Sequence, residues 1–279
     1  MIKLEHVVLV SPEQMEFIIE GMRNPMNSWD KSDSERCEDK STCDGCSMHD
    51  YCDHRYIPKS SLILGSNDLS LMQRLAKAGT DHRKYMRMMP VYVRITAPLY
   101  WWKEFDTYKI GTVANSCSTM HKIQEKEFTL EDFSHEHVCI RQSTDMLKDT
   151  IDALNVFRDV YLNGGILRHE NGSTKGFVEK DKDIWWQMIQ LLPSSYNQTR
   201  NVMMNYEVLA NIYKSRRNHK LDEWKVHETP EEHKFRNKDF TSGKWGFCDW
   251  IESLPYSELI TGEVLVRKKE ELNGRQDNQ

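Results

Sequence analysis

The chain lacks any apolar run approaching the roughly 20 residues that a bilayer-spanning helix needs, so no such helix is expected. It also lacks an excess of positive charge. Lys and Arg total 38 against 43 Asp and Glu, and the net charge is −5. That argues against a protein whose main work is gripping a nucleic-acid polymer, and leaves room for a local basic pocket that holds one phosphate. The first residues, MIKLEHVVLVSPEQ, show no basic region followed by a long apolar core and a small-residue cleavage site. No secretion signal is therefore expected, and a cytoplasmic location is the default. In such a setting the seven cysteines read as thiols or metal ligands rather than as a disulfide framework. Internal repeats and long linkers are missing as well.

What remains is a chain of 279 residues, 38% hydrophobic and 29% charged. That is enough to bury a full core, and one α+β domain over 1–279 is the simplest account. Residues 2–10 read as a buried strand. Ser11-Pro12 with Gln14 then starts a helix, because Ser can cap, Pro fits the first turn and Gln can reach back to the cap. Met15, Ile18, Ile19 and Met22 supply its apolar stripe, and Asn24-Pro25 ends it. A second helix runs from about Asp68 to Ala78 and closes at Gly79. Met86–Ala97 alternates like a strand, with Pro90 suggesting an edge position or a bulge. Ser143–Asn163 is a strong helix stopped by Gly164-Gly165, and Asp183–Leu192 is a short one stopped by Pro193. Tyr196 to about Trp224 reads as a long helix, and Phe247–Leu254 as a short one. The tail from about Lys268 to Gln279 reads as frayed.

Residues 27–60 form a polar, cysteine-rich insertion. Cys37, Cys43, Cys46 and Cys52 are spaced C-x5-C-x2-C-x5-C. Two thiolates a tight turn apart can bind one tetrahedral ion, and four would close a structural site. A structural zinc, an iron–sulfur cluster and a loop of free cysteines all stand as readings. His49 and His54 are spare ligands.

The stretch Ala97–His121 switches abruptly from aromatic (Tyr100, Trp101, Trp102, Phe105) to small and polar (Gly111, Thr112, Asn115, Ser116, Cys117, Ser118). A helix that feeds a ligand-facing loop needs such a switch, since small side chains let the backbone approach a flat or phosphorylated molecule. Cys117 fits a small buried thiol better than a nucleophile. The Trp101-Trp102 and Trp185-Trp186 pairs read as packing and subunit contacts.

This region resembles the flavin-dependent thymidylate synthase (ThyX) family, whose signature has the form R-H-R-x-x-S-x-N-E-x-S-x-R. Aligned without gaps from Pro98, the signature's Arg-His-Arg falls on Thr107, Tyr108 and Lys109, and its Ser on Thr112. The Asn-Glu pair falls on Ala114 and Asn115, the second Ser on Cys117 and the last Arg on Thr119. A slide of one residue restores Asn115 and Ser118. A second block also resembles the family. Leu192-Pro193 with Tyr196 is similar to its L-P-x-x-x-Y step, one residue shorter. Asn205, Leu209, Asn211 and Arg216 keep the residue types of its N-x-R-S-L-x-N-F-x-x-x-R helix, with Glu207 in place of an Arg. The likeness covers residues 66–122 and 184–224.

The resemblance implies a ThyX-like α+β fold, with helices packed on an antiparallel sheet. It implies a homotetrameric flavoprotein and methyltransferase that carries FAD and acts on a pyrimidine nucleotide, dUMP by default. Methylenetetrahydrofolate and NADPH are its implied co-substrates. It implies His82, Tyr108, Lys109, Thr112, Asn205 and Asn211 at the cofactor, and Asn115, Ser116, Ser118 and Arg216 at the nucleotide. Because Thr107, Thr119 and Glu207 stand where the family carries positive charge, a non-catalytic nucleotide- or flavin-binding protein that retains the fold is the competing reading.

Overall fold

In the computed structural model, residues 2–36, 62–225 and 246–262 are described. The four insertion cysteines, His49, His54 and the tail from Lys268 lie outside these residues. The centre of the fold is a four-stranded antiparallel sheet in the order β1-β4-β8-β5. These strands are β1 (Lys3–Val8), β4 (Pro90–Pro98), β8 (Asn197–Asn205) and β5 (Val113–Ser116). Two short antiparallel pairs stand apart from it: β2 (Glu35–Arg36) with β3 (Leu62–Ile63), and β6 (Gly165–Arg168) with β7 (Thr174–Phe177).

The sheet's two faces differ because strand side chains alternate. On β4, Val91, Val93, Ile95 and Ala97 are buried, and Val202 and Met204 of β8 join them. The opposite face carries exposed Tyr92, with Val113 and Val8 in the same cross-strand row through Met203. The next row on that face runs Glu5, Arg94, Asn201, Asn115. A register shift between Glu5 and Val8, with His6 at φ 50°, bends β1.

The buried face meets α1 (Pro12–Arg23), α2 (Ser66–Lys77), α3 (Leu99–Phe105), α7 (Tyr206–Arg216), α8 (Phe247–Ser253) and α9 (Glu258–Thr261) in one hydrophobic core. Helix α1 starts as its sequence indicates. Ser11 Oγ accepts from the Gln14 N–H and Gln14 Oε1 accepts from the Ser11 N–H, closing a capping box. Two further helices, the long α5 (Arg141–Asn163) and α6 (Lys182–Leu191), pack against Ile123, Phe128 and Phe133 in a second core. A one-turn helix, α4 (Thr119–Lys122), leads into that part of the chain.

Several sequence expectations are corrected. The strand expected to be buried within residues 2–10 is β1, at the sheet edge, with Lys3, His6, Val7 and Val8 exposed. Pro90 sits at the first position of a strand that is central, not at an edge, because β1 and β8 flank β4 on either side. The missing Pro90 N–H falls at the end of the ladder, where its absence costs little. Tyr196–Trp224 is not one helix. Its first part is β8, paired along its whole length with β4, and only Tyr206–Arg216 is helical. The alternation of Val202 and Met204 with Asn201 and Met203 reads as a strand only once a partner is known. The loop expected after α3 becomes, in part, the edge strand β5, which takes up backbone hydrogen-bonding capacity left on β8.

Helix α2 begins two residues earlier than expected, and the reason lies outside it. Gly65 precedes the helix without a side chain to cap it. Asp33 supplies the cap from another segment, accepting from the N–H groups of Asn67 (2.8 Å) and Asp68 (3.1 Å). A Cβ on Gly65 would lie 2.2 Å from the Asp33 carbonyl oxygen, so only glycine allows that approach.

Candidate functional site

Helix α7 organises the site. Asn205 caps its N-terminus, with Oδ1 accepting from the Val208 N–H at 3.0 Å. The polar stretch after α3 runs alongside. Gly111 comes so near that a Cβ there would meet Asn205 Nδ2 at 2.9 Å and Val208 at 3.1 Å, and its φ is +79°. At the far end of α7, Arg216 Nε donates to Tyr108 Oη at 2.9 Å and Nη1 donates to Glu104 Oε2 at 2.8 Å. The guanidinium also stacks over Trp224, 5.1 Å from the ring centre, and its Nη1 lies 2.9 Å from His219 Nε2. Tyr108 and Arg216, from two separate sequence blocks, are therefore direct neighbours.

A third segment reaches the same helix from the other side. The loop of residues 79–83 leads into a 3-10 turn at Lys84–Met88. Arg83 Nη2 donates to Asn211 Oδ1 at 2.9 Å, and its Nε donates to Glu207 Oε1 at 3.2 Å. Arg87 Nε donates to Glu207 Oε2. Burial pushes the Glu207 carboxyl up, but hydrogen bonds from Arg87 and Arg83 outweigh burial and hold it below the ordinary glutamate value. His82, next to Arg83, is exposed.

The remaining residues expected at the site separate into two groups. Lys109 is exposed in the turn before Gly111. The Thr112 hydroxyl is buried and has no hydrogen-bond partner among the described residues. Asn115 and Ser116 lie on edge strand β5, opposite Asn201 and Arg200. Ser118 faces its own helix, with Oγ accepting from the His121 N–H at 3.2 Å. Tyr108, Asn205 and Arg216 thus lie along one side of α7 and Asn211 meets Arg83 on the other, with His82 and Thr112 adjoining in sequence, while Asn115, Ser116 and Ser118 trail along the sheet edge. Cys117, just after β5, is exposed rather than buried; β5 is an edge strand among the described residues.

Sequence reasoning missed Arg83, Arg87, Glu104, Arg200 and His219. The basic run Arg83-Lys84-Tyr85-Met86-Arg87 was a usable signal, although its acidic partner lies 120 residues further on. Arg200 stacks over Trp102, 4.1 Å from the ring centre, and pairs with Asp106 at 2.7 Å. No group of three or more His, Cys, Asp or Glu able to hold a metal occurs among the described residues. No helix among them is long and apolar enough to cross a membrane. A cavity of about 410 Å³ lies elsewhere, between α5, α6 and the β6–β7 pair, and includes Phe177 and Trp186 in its wall. None of the residues around α7 lines it.

Two outcomes follow from this geometry. Gly111→Ala forces a side chain into a left-handed backbone position and against Asn205, so it is expected to destabilise by about 1–2 kcal/mol or more. Chemical denaturation measures that loss, and wild-type stability would contradict the close approach. The second concerns acid. Glu207 has a lowered pKa in the folded state, so its contribution is complete above the unfolded value near 4.5 and fades as pH falls through the folded value. Glu207→Gln is therefore expected to flatten the stability profile below about pH 4.5, as read by thermal melts across that range.

No known family profile matches the chain. No curated protein matches it by sequence. Among solved structures, it is similar to thymidylate synthase X (ThyX) from Helicobacter pylori, determined with FAD and dUMP. That similarity has a TM-score of 0.51 at 12% identity and covers 94% of this chain and 97% of the other. A second structure, of a flavin-dependent thymidylate synthase ThyX from the same organism with FAD and dUMP, gives a TM-score of 0.49 at 13% identity, covering 94% and 98%. At such low identity the likeness is one of fold. The chain is thus an α+β protein with the fold of a flavin-dependent thymidylate synthase.

Proposed function

We propose that the protein is a divergent flavin-dependent thymidylate synthase-like enzyme that transfers a one-carbon unit to a pyrimidine nucleotide, dUMP by default. One observation carries the reading. The two sequence blocks that resemble the family meet along α7, with Tyr108 hydrogen-bonded to Arg216 and Gly111 pressed against Asn205. Two similar motifs that merely recurred by chance would have no reason to touch.

The donor set around α7 fits a flavin dinucleotide. The Thr112 hydroxyl is buried and unpaired among the described residues, which a bound acceptor would relieve. Exposed His82 and Lys109 offer further donors, and the Asn211 amide stands beside an arginine. In this reading His82, Tyr108, Lys109, Thr112, Asn205 and Asn211 hold FAD, which would supply the reducing chemistry. Arg216 with Asn115, Ser116 and Ser118 would orient the nucleotide, and methylenetetrahydrofolate and NADPH would be co-substrates. The exposed row of Val8, Tyr92 and Val113 supports a homo-oligomer, a tetramer by resemblance, that covers this sheet face. A zinc held by Cys37, Cys43, Cys46 and Cys52 belongs to the same proposal.

A specific observation favours the second reading, a non-catalytic nucleotide- or flavin-binding protein. Arg216 is already engaged by Glu104 and Tyr108 within the chain. Colour tests the first step: the purified protein should show a flavin band or take up FAD, and a colourless protein that takes up none would overturn both flavin readings. Tritium release from labelled dUMP then separates the two. Release supports the enzyme, and its absence in a flavin-loaded protein supports the binding module. Metal analysis of the wild type and of a variant with Cys43→Ser and Cys46→Ser tests the zinc. A metal-to-chain ratio near zero in the wild type would end that part of the proposal.

A further inference from the structure

We infer that Arg83 and Arg87, held in place by Glu207, form a binding site for the phosphate or diphosphate of a nucleotide ligand. Glu207 faces two guanidiniums, so these three side chains together keep one net positive charge, which the nearby Asp81 offsets in part. Glu207 is almost enclosed, with a side chain 9% exposed; its Oε1 accepts from Arg83 Nε and Arg87 Nη2, and its Oε2 from Arg87 Nε. A carboxylate in that position fixes both planar forks at once.

Each fork is only partly used. Arg83 spends Nε on Glu207, and Nη2 on Asn211 (2.9 Å) and Thr80 Oγ1 (3.4 Å). Arg87 spends Nε on Glu207, and Nη2 on Glu207 (3.4 Å) and the Thr80 carbonyl (3.2 Å). The Nη1 groups of both make no hydrogen bond among the described residues. Arg87 is reachable, since its side chain is 44% exposed. Two oriented guanidiniums with spare N–H groups suit the several oxygens of a phosphate, and their fixed positions reduce the entropy lost on binding. Asp81 is the acidic group that also acts on Arg87, and His82 and Lys84 adjoin the cluster in sequence.

The site also answers the charge reversal at position 207. There, the resemblance leads one to expect an arginine, and the chain carries a glutamate. Arg83 and Arg87 return positive charge to that position from a segment outside both motifs. The anion site stands on this geometry, whereas its assignment to the diphosphate of a flavin dinucleotide rests on the flavin reading.

The test is equilibrium binding of inorganic pyrophosphate and, separately, of FAD to the full chain at low and high salt. Thermal melts confirm that each variant is folded. Wild type is expected to bind pyrophosphate in a salt-sensitive manner. Arg87→Ala should weaken that binding at least about tenfold, and Arg87→Lys, which keeps the charge and loses the fork, should weaken it less. Glu207→Gln removes the competing charge and one of the acceptors that orient the forks, so it should shift the affinity, while Arg168→Ala on distant β6 should leave it unchanged. Pyrophosphate binding that depends on Arg87, without uptake of FAD, would support the anion site and defeat the flavin reading. FAD uptake with unchanged affinities in Arg87→Ala and Glu207→Gln would overturn the anion site and leave the flavin reading standing. So would the lack of any salt-sensitive pyrophosphate binding to the wild type.

Discussion

Asp68→Ala is expected to destabilise the protein by about 3–5 kcal/mol, because it leaves a buried arginine without its counter-charge. Asp68 is fully buried, and Arg23 is 3% exposed. Oδ1 accepts from Arg23 Nε at 2.6 Å. Oδ2 accepts from Ser32 Oγ (2.8 Å), Ser34 Oγ (2.6 Å) and the N–H groups of Asp33 and Ser34 (both 3.2 Å). The remaining Arg23 donors reach the carbonyls of Ser28 (3.2 Å) and Lys31 (3.0 Å). This one carboxylate therefore ties α1, the segment before β2 and the start of α2 together.

Burial pushes the Asp68 carboxyl up, yet hydrogen bonds from Ser34, Ser32 and Arg23 outweigh burial and keep its pKa below the ordinary aspartate value. Its stabilisation is accordingly complete above the unfolded pKa and is lost as pH falls through the folded one. Asp68→Asn keeps an acceptor and removes the charge, so it should cost less than alanine and flatten the acid limb of the stability curve. Urea denaturation of both variants at neutral and acid pH measures this. A loss below about 1 kcal/mol for Asp68→Ala would mean that the network is not structural.

Trp101→Ala should have an effect of similar size, about 3–5 kcal/mol. Trp101 is fully buried. It stacks on Trp224 with ring centres 4.4 Å apart and on Phe105 at 5.1 Å, and it meets Trp102 edge-on at 4.9 Å. Phe247 closes the cluster at 5.6 Å. Removing the central ring opens a cavity among four aromatic side chains that cannot all collapse into it. Trp101 Nε1 has no hydrogen-bond partner among the described residues. Trp101→Phe removes that orphaned donor while keeping most of the ring, so its cost should be clearly smaller. Equal losses for the two variants would contradict this account.

The effect would reach the site as well. Trp224 is also the ring beneath Arg216, so a collapsed cluster shifts the guanidinium that Tyr108 and Glu104 hold. Weaker nucleotide or flavin binding in Trp101→Ala at temperatures where it remains folded is the corresponding signature.

Parts of this molecule could be read without coordinates because their causes are local. The capping box at Ser11 and Gln14 needs only residues three apart. The stop of α5 at Gly164, where φ is +73°, needs only a residue without a side chain. The aromatic stripe of α3 follows from helical period, and so does the switch to small residues beyond it. Tyr108, Asn205 and Arg216 stood out from motif order, and the structure places all three along α7.

What the sequence by itself determined, then, is the class of fold, helices α1, α2, α3, α5, α6 and α8 to within a few residues, and the two blocks that converge. Tertiary structure alone decided the rest, since each remaining feature depends on a partner far along the chain. Residues 197–205 become a strand because β4 and β5 supply backbone partners that no local pattern encodes. Asp33 caps a helix that begins at Ser66 because a fold brings its carboxylate to that helix. In sequence Glu207 reads as a lost positive charge, whereas the fold sets Arg83 and Arg87 against it. Electrostatic interaction depends on distance in space, and the chain brings those three side chains within hydrogen-bonding reach only when folded.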